Sequence, residues 1–389
     1  MDILHRGFDG LDIAFQAQIS PQFNDALAEA KELAAGDRGS VPLRWNGMNL
    51  LVAESGSRGG YAYRCDTGPE GAIWFFKKPN IRDPWGVRVS TKSLPLAVHG
   101  LGWVRTDLYK TLASLDIQTQ PNKMSISRVD YAIDFLYPDF LLCPNNFVMH
   151  ARCSRKTHQE ITEITEIGHS GKITSVTVGK NPGRQVIIYD KREEIIAKRK
   201  VEWPEIWNAN RAQNGLPPLD FSNVATSRVW RVELRAFKRH LKDLWGLTTW
   251  EHLDTKLGDV LAKMITDIRY AEPTSDTNRA RWPDSLLWQA VRCELDADLF
   301  EMRSFVDPDR VRYVIKEEQR AILQSQTLGL SVSLAALDGI EPEGFEDYVD
   351  ETAKDTKRRS RNHVIPIEER IAKAKRRNLC VDPLNRAEI

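Results

Sequence analysis

The chain has 389 residues, of which 41% are apolar, with a formal net charge of +1. That length exceeds the usual single domain and predicts two or three structural units, at least one with a full hydrophobic core. No run approaches the roughly 18 to 20 apolar residues that cross a bilayer, and residues 1–15 lack a basic segment followed by an apolar run, so a cytoplasmic protein with no membrane partner is expected.

In chain order, residues 10–18 predict an opening strand, 24–33 an amphipathic helix, and 49–54, 60–65 and 72–77 three further strands punctuated by Gly and Pro. Residues 87–92 continue the strand pattern, and Leu108, Leu112 and Leu115 give residues 105–115 a helical spacing. Strands are expected again at 125–135, 173–179, 184–191 and 227–235, with a helix after Lys191. Between Trp203 and Ser227, the residues Pro204, Pro217, Pro218, Asn208, Asn210, Asn214 and Gly215 predict a long loop, lying against DNA or forming an ordinary surface insertion. From 255 to about 330 the pattern turns helical, with Leu257, Val260, Leu261, Met264 and Ile268 on one face and a second helix over 311–323. The end, after Ser331, reads as a weakly ordered tail. The expectation is an α+β fold of antiparallel sheets with packed helices, divided into 1–122, 123–245, a helical region 246–330 and a charged tail 331–389. Residues 11–15 also echo 129–133, a hint of two related halves joined face to face.

Local charge says more than the total, because phosphate responds to nearby cations. Residues 152–200 carry 11 Lys and Arg against 6 Asp and Glu, and residues 354–378 carry 10 against 3, directly after an acidic stretch at 331–353. The second surplus predicts nonspecific contact of the tail with DNA phosphates. Cys65, Cys143, Cys153, Cys293 and Cys380 form no C-x-x-C pair and suit reduced packing thiols. None of the histidines falls in an H-x-H, H-x-x-H or H-E-x-x-H spacing, so any bound metal must be held by carboxylates.

Three strands carry the chemistry. Alternation along 127–135 sends Val129, Tyr131, Ile133 and Phe135 to the core and Arg128, Asp130, Ala132 and Asp134 to the other face. Aspartate gains nothing from packing in a strand, so two on one face call for a reason, which solvent exposure alone would supply. Along 226–235 the same rule buries Trp230, Val232 and Leu234 and turns Arg231, Glu233 and Arg235 outward. Carboxylates so placed suit Mg²⁺ or Mn²⁺, or a cross-strand ladder of ion pairs that needs no metal. Residues 183–194 form a β-branched run ending in Tyr189-Asp190-Lys191, with Tyr189 and Lys191 on one face. A phenol near its free pKa of about 10 is a poor nucleophile. Catalysis by Tyr189 would need a cation such as Lys191 or a metal beside it, and packing is the plain alternative.

The strand R-V-D-Y-A-I-D-F, the V-G-K followed by R-Q-V-I-I-Y-D-K-R-E-E, and the strand R-V-E-L-R resemble, in this order, the replication initiation factor family of rolling-circle plasmids, phages and integrative conjugative elements. The resemblance spans residues 85–240. It implies a core related to the HUH nucleases with acidic residues in place of the paired histidines, and so a DNA nicking-closing endonuclease. Tyr189 would be the nucleophile and Lys191 its catalytic partner; Asp130 and Glu233 would be metal ligands, with Asp134 a third. Arg184, Arg128, Arg231, Arg235, Lys180 and Arg192 would contact or neutralise DNA phosphates. The implied substrate is a single-stranded or extruded origin, cut to give a 5′-phosphotyrosine and a free 3′-hydroxyl.

Two alternatives stand beside this reading. One is a metal-dependent endonuclease in which water attacks; the other is a noncatalytic DNA-binding regulator with an initiator-like fold. No P-loop is present, so a helicase motor would come from a host partner, and a homodimer is compatible with the reading.

Overall fold

The computed structural model describes residues 1–149, 164–169, 172–300 and 303–378. Cys153, Cys380 and the basic residues at 152–156 lie outside the described residues. Contacts divide the chain into two compact units, Met1–Asp307 and Pro308–Ile389.

The first unit opens with β1 (Asp2–Phe15), α1 (Pro21–Gly36), β2 (Val41–Trp45), β3 (Met48–Val52), β4 (Tyr63–Asp66), β5 (Ala72–Phe76), β6 (Val87–Thr91) and α2 (Ser93–Ser114). It continues with β7 (Met124–Leu136), β8 (Phe147–Met149), β9 (Ile164–His169), β10 (Lys172–Gly179) and β11 (Arg184–Asp190). Then come α3 (Lys191–Ala197), α4 (Glu202–Gln213), β12 (Val229–Phe237), α5 (Trp250–Asp267), β13 (Ile268–Tyr270) and α6 (Leu286–Leu295). Local signals explain the boundaries. Ser20 caps α1 by accepting the Phe23 amide at 3.1 Å, Pro21 stands where no amide partner is needed, and Phe23, Leu27, Ala30 and Ala34 form the buried stripe. At Gly179 the β10–β11 hairpin takes φ +91°, and a Cβ there would collide with the Arg184 carbonyl, which accounts for the glycine of V-G-K.

Among the described residues eleven strands form one antiparallel sheet in the order β2-β3-β4-β5-β6-β1-β7-β12-β11-β10-β9. Each half sends its first strand to the centre and returns as a series whose last strand flanks the first: β6 beside β1, and β12 beside β7. The echoing segments are cross-strand neighbours, Leu11 against Val129 and Asp12 against Arg128. The halves thus join edge to edge through β1 and β7, not face to face, because backbone pairing between two central strands satisfies both edges at once.

One sheet face is the expected core: Ile13, Phe15, Val129, Tyr131, Ile133, Val232, Leu234, Val186 and Ile188 belong to one buried cluster. Residues 246–330 do not form a helical region of their own. Leu253, Leu257, Val260, Leu261 and Met264 of α5 and Leu287, Trp288 and Val291 of α6 enter this same cluster. The expected helix face also stops one turn early, since Ile268 starts β13 and pairs with Met149 of β8.

A second correction concerns 203–227, which contains α4 rather than one long loop. Pro204 lies in the first turn, where its missing amide costs nothing, and Trp203, Ile206 and Trp207 supply the buried i, i+3, i+4 face. In the second unit, α7 (Pro308–Leu337) runs through the boundary expected at 330, and α8 (Phe345–Arg361) and α9 (Ile367–Asn378) occupy what composition read as a weakly ordered tail. Acidic residues in the first turn of α8 and Arg358, Arg359 and Arg361 in its last turn match the helix dipole. Among the described residues no helix is long and apolar enough to cross a membrane.

Candidate active site

Register across β11, β12 and β7 assembles the residues that alternation put on one face. Tyr189 pairs with Arg231, and Arg231 with Asp134; Ile187, Glu233 and Ala132 form the next rank, and Gln185, Arg235 and Asp130 the third. A solvated face, a metal site and a ladder of ion pairs were the readings open for this face. Asp134 and Arg231 are 0% exposed, Glu233 1% and Asp130 2%.

A buried charge costs several kcal/mol unless it is paired and hydrogen-bonded, and the pairing follows. Arg231 donates from Nε to Asp134 Oδ1 at 2.6 Å and from Nη2 to Asp134 Oδ2 at 2.8 Å, while Nη1 reaches Asp9 Oδ1 at 2.6 Å. Trp207 Nε1 adds a bond to Asp134 Oδ2 at 2.9 Å, and the Trp203 ring centroid lies 4.2 Å from the guanidinium carbon. Asp134 therefore has both oxygens committed, and its partner is Arg231, which is too deeply buried to meet DNA. In the third rank Arg128 chelates Asp130 through Nε, at 3.0 Å, and Nη2. Burial pushes the Asp130 carboxyl up to about 7; Arg128 and Arg235 oppose that, and the Glu233 charge adds to it. Arg235 Nε donates to Glu233 Oε1 at 2.6 Å, leaving Glu233 Oε2 buried and without a partner among the described residues.

Beside this layer opens a cleft of about 800 Å³, whose lining includes Asp9, Tyr189, Lys191, Glu194, Lys200, Glu233 and Arg235. The Tyr189 hydroxyl has no hydrogen bond among the described residues. Burial raises its pKa well above that of a free phenol; Arg231 pulls it down, and Glu233, Asp9 and Glu194 push it further up. Lys191 belongs to α3 rather than to the strand, because Asp190 caps that helix by accepting the Glu193 amide at 3.0 Å. Its ammonium nonetheless lies 5.7 Å from the Tyr189 ring centroid and 4.7 Å from that of Trp203. Burial lowers Lys191 to about 8.

The remaining basic candidates scatter. Arg128 and Arg235 stay on the site face with side chains 33% and 31% exposed. Arg184 alternates to the opposite face with Val186 and Ile188 and pairs with Asp267 at 2.8 Å. Arg192 is buried and holds the 221–227 segment through the Ser227 hydroxyl at 3.1 Å and the Phe221 carbonyl at 2.6 Å. Lys180 is exposed in the turn between β10 and β11. Sequence reasoning missed Asp9, Trp203 and Trp207. Asp9 sits at a bulge between Phe8 and Gly10 that breaks the alternation of β1.

Among the described residues no three His, Cys, Asp or Glu side chains are placed to hold a metal ion. Asp134 does not fit such a role while Arg231 holds both its oxygens, and Arg128 likewise occupies Asp130. The bare Oε2 of Glu233 does fit a hard cation of the kind that binds through one or two carboxylates and keeps its waters.

No family model matches the chain, and no curated protein is significantly similar to it. Among solved structures, a rolling circle replication initiator protein from Geobacillus stearothermophilus aligns over 75% of this chain and 96% of its own, at 13% identity and a TM-score of 0.34. A likeness of that strength decides nothing about activity.

Proposed function

We propose that the chain is a DNA-nicking initiator of rolling-circle replication, in which Tyr189 attacks a phosphodiester of a single-stranded or extruded origin. The observation that carries this reading is the Tyr189 hydroxyl, without a partner among the described residues, in a cleft that also gathers Lys191, Glu233 and Arg235. Those residues come from the sequence motifs that resemble the initiator family. The reaction is a transesterification: a bond forms from the Tyr189 oxygen to phosphorus, the bond from phosphorus to the 3′-oxygen breaks, and one proton leaves the phenol while one arrives on the 3′-oxygen. The products are a 5′-phosphotyrosine, which keeps the bond energy for later closure, and a 3′-hydroxyl from which a polymerase can extend. With no P-loop in the sequence, duplex opening would fall to a separate helicase. Trapping an SDS-resistant protein–DNA adduct tests the reading, and cleavage without an adduct favours attack by water.

Burial keeps the phenol neutral at rest, so the rate depends on stabilising negative charge as it develops on oxygen. The Lys191 ammonium beside the ring and the Arg231 cation in the facing register position are the groups that do so. Glu233 would hold Mg²⁺ or Mn²⁺, which when bound draws charge from the scissile phosphate. Glu233→Gln is expected to raise the divalent concentration needed for half-maximal nicking by about tenfold or more. Isothermal titration of Mn²⁺ into both proteins checks this, and equal affinities would take Glu233 off the ligand list.

A pH dependence follows from Lys191. Its folded pKa, about 8, lies below that of a free lysine, so the cation present at neutral pH is lost as pH rises through that value. Single-turnover nicking should fall on the alkaline side of about pH 8 in the wild type, and Lys191→Arg, which stays charged, should remove that limb. A limb that persists in the arginine variant would assign it to another group.

A further inference from the structure

Glu194 is a side chain for which the nicking chemistry above has no use, yet it sits in the cleft as the hub of three ammonium groups. Its Oε2 lies 2.6 Å from Lys191 Nζ, and its Oε1 lies 3.0 Å from Lys198 Nζ and 2.8 Å from Lys200 Nζ. All four residues line the cleft that contains the Tyr189 ring. Interaction with the lysines holds the Glu194 carboxyl far below its usual range, against the opposing effect of burial.

One carboxylate cannot neutralise three ammoniums, so the cluster of Glu194 with its three lysines, taken by itself, carries more positive than negative charge. Asp9, Asp190, Glu193 and Glu233 also line the cleft, but among the described residues none of the four is ion-paired to these lysines: Asp9 shares Arg231 with Asp134 and acts on Lys191 and Lys200 only from a distance, and Glu233 pairs with Arg235 at 2.6 Å. An ammonium has three donors, so each lysine can bond Glu194 and still offer N–H groups to another oxygen. The lysines are graded in depth as well. The Lys191 side chain is 2% exposed, that of Lys200 31% and that of Lys198 64%, giving a floor, a wall and a rim.

We propose that Lys191, Lys198 and Lys200, gathered by Glu194, form a cradle for a backbone phosphate of single-stranded DNA next to Tyr189. Glu194 is a positioning residue: it spends negative charge to fix long flexible side chains in advance, so that less order has to be imposed when the strand arrives. The adjacency to Tyr189 as nucleophile rests on the function proposed above. Phosphate binding by the cradle does not.

The test reads binding alone, with the full chain, a short fluorescein-labelled oligothymidylate, no divalent ion and fluorescence anisotropy over a range of salt concentrations. Replacing both exposed members, Lys198→Ala with Lys200→Ala, should reduce the steepness of log affinity against log salt by about 1.4, two contacts at about 0.7 each. Glu194→Gln gives the sharper result, because bare charge and positioning predict opposite signs. Removing a negative charge would tighten binding if charge were all that mattered, whereas the cradle predicts affinity about fivefold weaker, the cost of ordering the released lysines. Tighter or equal binding by Glu194→Gln, or an unchanged slope in the double lysine variant, would overturn the cradle. Thermal melts of each variant accompany the assay, and if Glu194→Gln does not fold, the lysine pair decides the matter. Binding as expected without any adduct would preserve the cradle and remove the nicking reaction.

Discussion

Tyr189→Phe is expected to eliminate the covalent protein–DNA adduct and to lower nicking by at least about 10³-fold, with folding and origin binding intact. The hydroxyl makes no hydrogen bond among the described residues, so its removal leaves no partner stranded, and the ring keeps its volume. Gel mobility of a labelled origin strand after denaturation gives the adduct, and a urea melt gives the stability. An adduct that survives in the Phe variant would move the linkage to another tyrosine. Of the two tyrosines on or next to β7, Tyr131 is the poorer substitute because it faces the core and is 0% exposed, and Tyr137 is the one to test first. Cleavage by the wild type with no adduct would return Tyr189 to a packing role and make water the nucleophile.

The second large effect is on stability. Arg231→Met leaves the fully buried Asp134 without its cation and deprives Asp9, at the edge of the cleft, of the same partner, and breaking a buried pair in this way costs about 3–5 kcal/mol. Chemical denaturation should show that loss, and much of it should return when Asp134→Leu and Asp9→Asn are added, because the stranded charges are then gone. An Arg231→Met protein as stable as the wild type would mean that the layer is hydrated. That outcome would also reopen Asp134 as a metal ligand.

Much of this layer could be read from the alternation of hydrophobic residues. Period-two spacing put Asp130, Asp134, Arg231, Glu233 and Arg235 on one side of their strands, and register then stacked them. Alternation cannot say what covers a face. The cover was hidden in 203–227, where prolines and asparagines outweighed the helical spacing of Trp203, Ile206 and Trp207, so alternation alone could not choose between a wet face, a metal site and a buried ion-pair layer. Pairing was equally out of reach, because Arg231 meets Asp9 across a separation in sequence that no local pattern encodes. Lys191 shows a subtler limit. Strand alternation placed it beside Tyr189, and it does come near, but through the helix turn that Asp190 starts.

The central pairing of β1 with β7 bears on how this protein is made. Asp2–Phe15 is synthesised before either of its neighbours, yet it is in the middle of the finished sheet and needs Val87–Thr91 on one side and Met124–Leu136 on the other. Arg231 arrives later still, so Asp9 and Asp134 wait for their cation until β12 has been synthesised. Long-range pairing of this kind makes folding slow and leaves strand edges open in the meantime. A nascent chain ending near residue 122 would thus carry β1 paired with β6 on one side and open along the other, and the cleft beside Tyr189 can form only once β12 has been translated.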